Sequence, residues 1–144
     1  MKKWLMRAGV VFAAALAAIQ FVPAERVNPP VESDLAAPDE VKKILRRSCY
    51  DCHSNETRWP WYARVAPVSW LIAHDVDEGR RELNFSVWSQ FTGGRLARKF
   101  KEIVEQVEGN KMPQWYYVLL HPDAKLEPRE KQLLLDWAKQ ALRS

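Results

Sequence analysis

Cys49-Tyr50-Asp51-Cys52-His53 contains the only two cysteines of a 144-residue chain, with a histidine directly after the second. The spacing has a physical logic. Two thiols held on one turn can each add to a vinyl group of a porphyrin, and the adjacent imidazole then projects from the same turn as an axial ligand to iron. C-x-x-C-H is the attachment pattern of haem c. Three other readings compete. A structural zinc site needs four ligands, and only His74 and His121 remain to join the trio, at no finger-like spacing. A thioredoxin-like dithiol belongs with a βαβ pattern. A plain disulfide suits an exported protein but has no use for His53. Haem c, one per chain, held by Cys49, Cys52 and His53, is the leading reading.

The segments on either side of the motif read as helices joined by Pro-rich and aromatic loops. Upstream, Pro38 suits a first helical position, and Val41, Ile44, Leu45 and Ser48 follow at helical spacing into Cys49. Downstream, a Trp-rich loop over 57–67 leads to a helix over 68–83 with Val68, Leu71, Ile72 and Val76 on one stripe. A short turn of helix is expected within 84–91. A third helix over 95–108 lines up Leu96, Phe100, Ile103, Val104 and Val107, and Gly109-Asn110 supplies its left-handed stop. The last helix, 128–142, is expected to bury Leu134, Trp137, Ala138 and Ala141. No run alternates as a strand does, and there is no internal repeat. The expected fold class is all-α: a small cytochrome c-like helical domain packed around one covalently attached haem.

Composition agrees with one globular domain, at 47% hydrophobic and 28% charged residues. The net charge of +4 is unevenly placed. Residues 1–24 hold Lys2, Lys3 and Arg7 and no acid, so the remaining 120 residues carry 19 basic against 18 acidic side chains. That balance excludes a nucleic-acid binder working through a concentrated basic face. The first 24 residues read as an export signal: a basic start, then an uncharged apolar run from Ala8 to Val22 broken only by Gln20. Fifteen residues fall short of the roughly 20 that span a bilayer as a helix. Val22-Pro23-Ala24 is an imperfect cleavage site, so an uncleaved N-terminal membrane anchor is the alternative. The expected organisation is therefore 1–24 as signal peptide or anchor and 25–144 as the haem-binding domain. The expected location is the periplasm, soluble or held at the inner membrane.

A sixth ligand to the iron needs a candidate. Met1 and Met6 lie in the leader, so Met112 is the only methionine of the domain. It stands in Gly109-Asn110-Lys111-Met112-Pro113, just past the third helix. A thioether there raises the reduction potential and suits electron transfer, although a lone Met is more often core filler. His74, on the second helix, and His121, in Leu120-His121-Pro122, are the rivals. Met112 is the choice.

The chain from Gln20 to about Leu142 resembles the bacterial haem-binding domain family, a small c-type cytochrome-like group. The resemblance lies in Asn28-Pro29-Pro30-Val31, Cys49 to Asn55, Trp59-Pro60-Trp61-Tyr62 and Ala66-Pro67-Val68-Ser69-Trp70. It continues through Glu78-Gly79-Arg80, Leu83-Asn84-Phe85-Ser86, Met112-Pro113 and Leu120-His121-Pro122. It implies covalent haem at Cys49 and Cys52 with His53 as proximal ligand, and leaves the distal ligand among Met112, His74 and His121. Glu127 before Pro128 departs from the Ser or Thr expected as a helix cap.

Other residues near the motif are also expected to serve it. Trp59, Trp61, Tyr62 and Trp70 are placed to pack on the porphyrin, and Arg58 and Arg64 to pair with its propionates. Trp115, Tyr116 and Tyr117 are expected to brace the loop of Met112. The function expected is electron transfer with periplasmic or membrane redox partners, not enzymatic catalysis. The alternative is a haem-based gas or redox sensor, or a peroxidase-like haem enzyme, with one axial site open. Because a 120-residue domain of short helices has a modest core, the chain without its cofactor is expected to be largely unfolded or molten.

Overall fold

The computed structural model describes residues 2–143. Its elements are α1 (Lys2–Ile19), α2 (Asp39–Ser48), α3 (Tyr50–His53), α4 (Val68–Glu82), α5 (Gly93–Glu108), α6 (Trp115–Leu120) and α7 (Pro128–Ala141). Single 3-10 turns stand at Trp61–Arg64, Trp88–Gln90 and Pro122–Ala124. No strand forms among the described residues, so the fold is all-α. The lead-in to α2 nevertheless pairs with the chain after α4. Ser86 O accepts the N–H groups of Glu32 and Ser33 at 2.9 and 3.1 Å, and Phe85 O accepts that of Leu35 at 3.2 Å.

Helix α2 buries Val41, Ile44, Leu45 and Ser48, the face its spacing marks. Asp39 and Glu40 in its first turn and Arg46 and Arg47 in its last oppose the helix dipole favourably. Pro38 stands one position earlier than expected, as the N-cap. Helices α5 and α7 pack side by side, and α2 lies against α7. Together they close a core of Leu35, Val41, Leu45, Phe100, Ile103, Val104, Val107, Leu134, Leu135 and Ala138, completed by Tyr50 and Phe85. In α7, Leu135 is buried where Trp137 was expected; Trp137 packs on the core edge-on to Phe100, with centroids 5.3 Å apart. Glu127 caps α7 with Glu130, whose carboxylate accepts the Glu127 N–H at 3.0 Å, as the third residue of a capping box does. Asn110, at φ 52°, and not Gly109, takes the left-handed position after α5.

Helix α1 buries no side chain, and no helix among the described residues is long and apolar enough to cross a membrane. The chain after α1 is nevertheless tied to the domain from Gln20 onward. The Gln20 amide exchanges two 3.0 Å hydrogen bonds with the backbone of Ala66, and the Trp70 indole donates to Val22 O at 3.2 Å.

Candidate functional site

The haem-type motif sits where α2 breaks and restarts. Cys49 ends α2, donating to Leu45 O at 2.8 Å, and its own carbonyl accepts the N–H groups of Cys52 and His53 at 3.2 and 2.9 Å. Residues three and four apart on a helical turn share a face, so Cys49, Cys52 and His53 all reach one cavity of about 560 Å³. That size lies within the range of small-molecule and cofactor sites. The turn is anchored behind by Tyr50. Its ring stacks on Phe85 at 4.9 Å, and its hydroxyl donates to Asp34 at 2.6 Å.

His53 is oriented by α4. Its Nδ1 lies 2.8 Å from Gly79 O and 3.0 Å from Leu83 O. Two carbonyls can only accept, so Nδ1 carries the proton and Nε2 keeps its lone pair, the tautomer a metal-bound imidazole needs. Burial holds the ring's pKa down, against the pull of those two carbonyls. Gly79 allows this approach: a Cβ there would meet Cys52 O at 2.7 Å. Burial also pushes both thiols up to about 12, with Cys52 adding to the effect on Cys49, and Asp51 and Asp75 to that on Cys52. A redox dithiol has the opposite character, a depressed pKa.

The cavity lies between α4 and α6, whose backbones stay apart but which are joined across it by the Tyr116 hydroxyl, donating to Asp75 at 3.1 Å. Val68, Leu71, Ile72 and Val76 of α4 line one wall, and Leu119 and Leu120 of α6 line the other. The α4 stripe was legible in the sequence, but it does not face the protein core. Leu71 is 54% exposed, and of the four only Val76 is buried. An apolar cleft whose walls stay open, with two thiols and an imidazole at one end, fits a flat apolar group bound through those three side chains. Among the described residues no three His, Cys, Asp or Glu side chains come together as a bare metal-ion site.

Of the distal candidates, Met112 and His121 line the cavity and His74 does not. The His74 side chain is 64% exposed and faces Glu78 at 3.4 Å, on the outer side of α4. Both His121 nitrogens are engaged: Nε2 lies 3.0 Å from the Tyr62 hydroxyl and Nδ1 3.1 Å from Tyr117 O. Its ring also stacks on Tyr117 at 4.2 Å.

Several expected contacts go elsewhere. Of the four aromatics after the motif, only Tyr62 lines the cavity. Trp59 donates to Asn28 and Trp70 to Val22 O, while Trp61 stays in solvent. Trp115, Tyr116 and Tyr117 do more than brace a loop: they form α6 and line the cavity themselves. Arg58 does line the cavity, held there by Asp51 through Nε and Nη2 at 3.1 and 3.0 Å, whereas Arg64 does not reach it. Asp51 also accepts the Tyr117 hydroxyl at 2.9 Å, linking the motif to α6. Burial, then the Asp51 charge, raises the Tyr117 phenol far above its ordinary value.

Beneath the motif lies a polar web that spacing alone does not disclose. Arg80 donates to Ser54 O at 2.8 Å, Val27 O at 2.7 Å, and Asn28 Oδ1 and Thr57 Oγ1, both at 2.9 Å. Buried Asn55 accepts from the Asn84 amide at 2.8 Å and donates its backbone N–H to the Ser86 hydroxyl oxygen at 2.9 Å. These side chains fill the Asn28, Ser54-Asn55, Gly79-Arg80 and Asn84-Ser86 stretches named above. The web fixes the level of the motif turn against α4 and the lead-in.

No curated protein and no solved structure matches the chain. A family model, the haem-binding domain, matches residues 14–140, which takes in every element from the later part of α1 to nearly the end of α7. With that match over most of its length and a cleft shaped for the group, the chain belongs to the haem-binding domain family and takes haem as its cofactor.

Proposed function

We propose that the chain is an exported monohaem c-type cytochrome that carries electrons, with Cys49 and Cys52 as thioether links, His53 as proximal ligand and Met112 as distal ligand. The observation that carries this reading is the His53 tautomer: Nδ1 is committed to Gly79 O and Leu83 O, so Nε2 is left as a ligand beside two neutral thiols. The haem, when bound, supplies an iron that passes between ferric and ferrous states. The protein's part is to hold, orient and shield it. The Gly79 and Leu83 carbonyls fix the imidazole plane and raise its basicity. The α4 and α6 walls exclude water. Asp51, tied to Arg58 and Tyr117, keeps the motif turn and the opposite wall in register. The basic start and apolar run of residues 1–22 support export to the periplasm, where such attachment takes place.

Met112 is favoured over His121 because the histidine's two nitrogens already have partners. Met112→Ala is expected to abolish the sulfur-to-iron charge-transfer band and admit carbon monoxide. It should also lower the reduction potential by on the order of 0.1 V, a fraction of the roughly 0.8 V that axial ligands span. His121→Ala and His74→Ala should leave the band intact. A wild-type spectrum without the band, turned high-spin by His121→Ala, would show bis-histidine ligation instead.

A second reading draws on the Tyr62–His121 pair, a hydrogen-bonded acid–base couple on the cavity wall. It makes the chain a gas or redox sensor, or a peroxidase-like haem enzyme, with an open axial position. A high-spin ferric spectrum in the wild type would select it.

A further inference from the structure

The join between α1 and the domain is a built seam. Gln20 is the one polar residue in the apolar run, and its amide makes a reciprocal pair with the N–H and C=O of Ala66. Trp70 and Arg26 add bonds on either side, to Val22 O and from Arg26 to Ala63 O at 3.2 Å. Three consequences meet here. First, cleavage after Ala24 would remove both Gln20 and Val22 and leave the Ala66 N–H and the Trp70 indole without these partners. Second, the seam ties the chain after α1 to Ala63, Ala66 and Trp70, and the residues flanking these bonds include four large apolar side chains in solvent: Phe21, Val22, Trp61 and Val65. Phe21 is 87% and Trp61 78% exposed. None of the four lines the haem cavity, so the cofactor does not cover them. Third, Phe21 and Val22 follow directly on α1, whose residues 8–19 are apolar all round and bury nothing against the domain. A helix apolar on every side belongs in a non-aqueous surrounding, and Trp is the side chain that favours the headgroup boundary.

We propose that α1 is retained in lipid and that Phe21, Val22, Trp61 and Val65 form a seat on the phospholipid surface, with Gln20 as the clamp that fixes the domain's orientation. Tyr62 and Val68, the residues next to this seat in sequence, line the haem cavity, so the clamp holds that wall of the cleft close to the membrane. The inference does not depend on how the haem is attached.

The test uses the full chain in phosphatidylcholine vesicles that carry a photoactivatable diazirine on an acyl chain, with adducts mapped by peptide mass spectrometry. Adducts are expected on α1 and on the peptides holding Phe21 and Trp61, and none on the exposed face of α5. Trp61→Ser should cut the yield at 61–65 several-fold. Gln20→Ala should do the same while leaving both the α1 adducts and the haem absorption spectrum unchanged, and a misfolded domain would alter that spectrum. Absence of adducts beyond residue 24 in the wild type would overturn the seat. So would a chain recovered from expressing cells in soluble form, starting after Ala24. Protease protection of the domain in spheroplasts would overturn export but leave the seam standing.

Discussion

Replacing both thiols, Cys49→Ser with Cys52→Ser, is expected to reduce covalently held haem from one per chain to none. In cells with a cytochrome c maturation system, the wild type should keep its haem through denaturation and acid–acetone extraction, and its mass should include the porphyrin. The double variant should lose the haem stain on a denaturing gel entirely. Each single variant should retain one thioether and a weaker stain. The His53 side chain and the cleft walls remain in the double variant, so some haem should still bind reversibly to the folded protein and extract freely. Free extraction from the wild type would sink the thioether assignment and leave only reversible haem binding.

The second large effect lies outside the motif. Arg80→Ala removes four charge-assisted hydrogen bonds that join α4 to Ser54, Thr57 and the Val27-Asn28 lead-in. Each such bond contributes about 1.5–3 kcal/mol where it is well shielded. Arg80 is half-buried, so the total should be nearer 3 kcal/mol than the sum. That corresponds to a melting point lower by roughly 10 °C for a domain of this size. Arg80→Lys should recover little of it, since a single ammonium cannot reproduce the guanidinium fork across four acceptors. Arg64→Ala, on an exposed side chain away from the cavity, should change stability by no more than about 0.5 kcal/mol. A thermal melt of the three variants with haem bound checks this. Equal melting points for Arg80→Ala and Arg64→Ala would show that the web is not what holds the motif turn.

The helices that meet one another were legible from their spacing, and those that meet the cofactor were legible only as helices. In α2 and α5 the apolar period marks the buried face directly, because both sides of the contact are protein. In α4 the same period marks residues that face an open cleft. Sequence pattern cannot say what will cover a stripe. Helix α6 was missed because Trp115 to Leu120 is apolar throughout and too short to show a period. The trio of Cys49, Cys52 and His53, which the structure brings to one cavity, was readable because the three lie close in sequence. The web around Asn55, Asn84 and Arg80 was not, since its bonds join residues 23 to 53 positions apart. Its one local signal was the recurrence of Asn and Ser beside the motif and after α4, in positions where exposed turns would do as well. Asn28, which the sequence marks only as part of the family resemblance, accepts from both Trp59 and Arg80.

The main cluster of the core takes no residue from α6 and none from α4, whose buried Val76 lines the cleft instead. One half of the molecule, α2, α5 and α7 with Tyr50 and Phe85, therefore solves its own packing problem, while the other half is two jaws around a guest. Such a division leads us to expect, before haem arrives, a chain that is molten in part and still packed at α2, α5 and α7. Hydrogen exchange on the cofactor-free chain should find α2, α5 and α7 most protected, α4 less so through its Arg80 bonds, and α6 least. If Cys49 and Cys52 are the thioether links proposed above, they would meet the haem on a turn already held by Tyr50 and Phe85. Settling α6 against the cofactor would then be the last event of assembly, with the Tyr116 and Tyr117 hydroxyls to be rearranged.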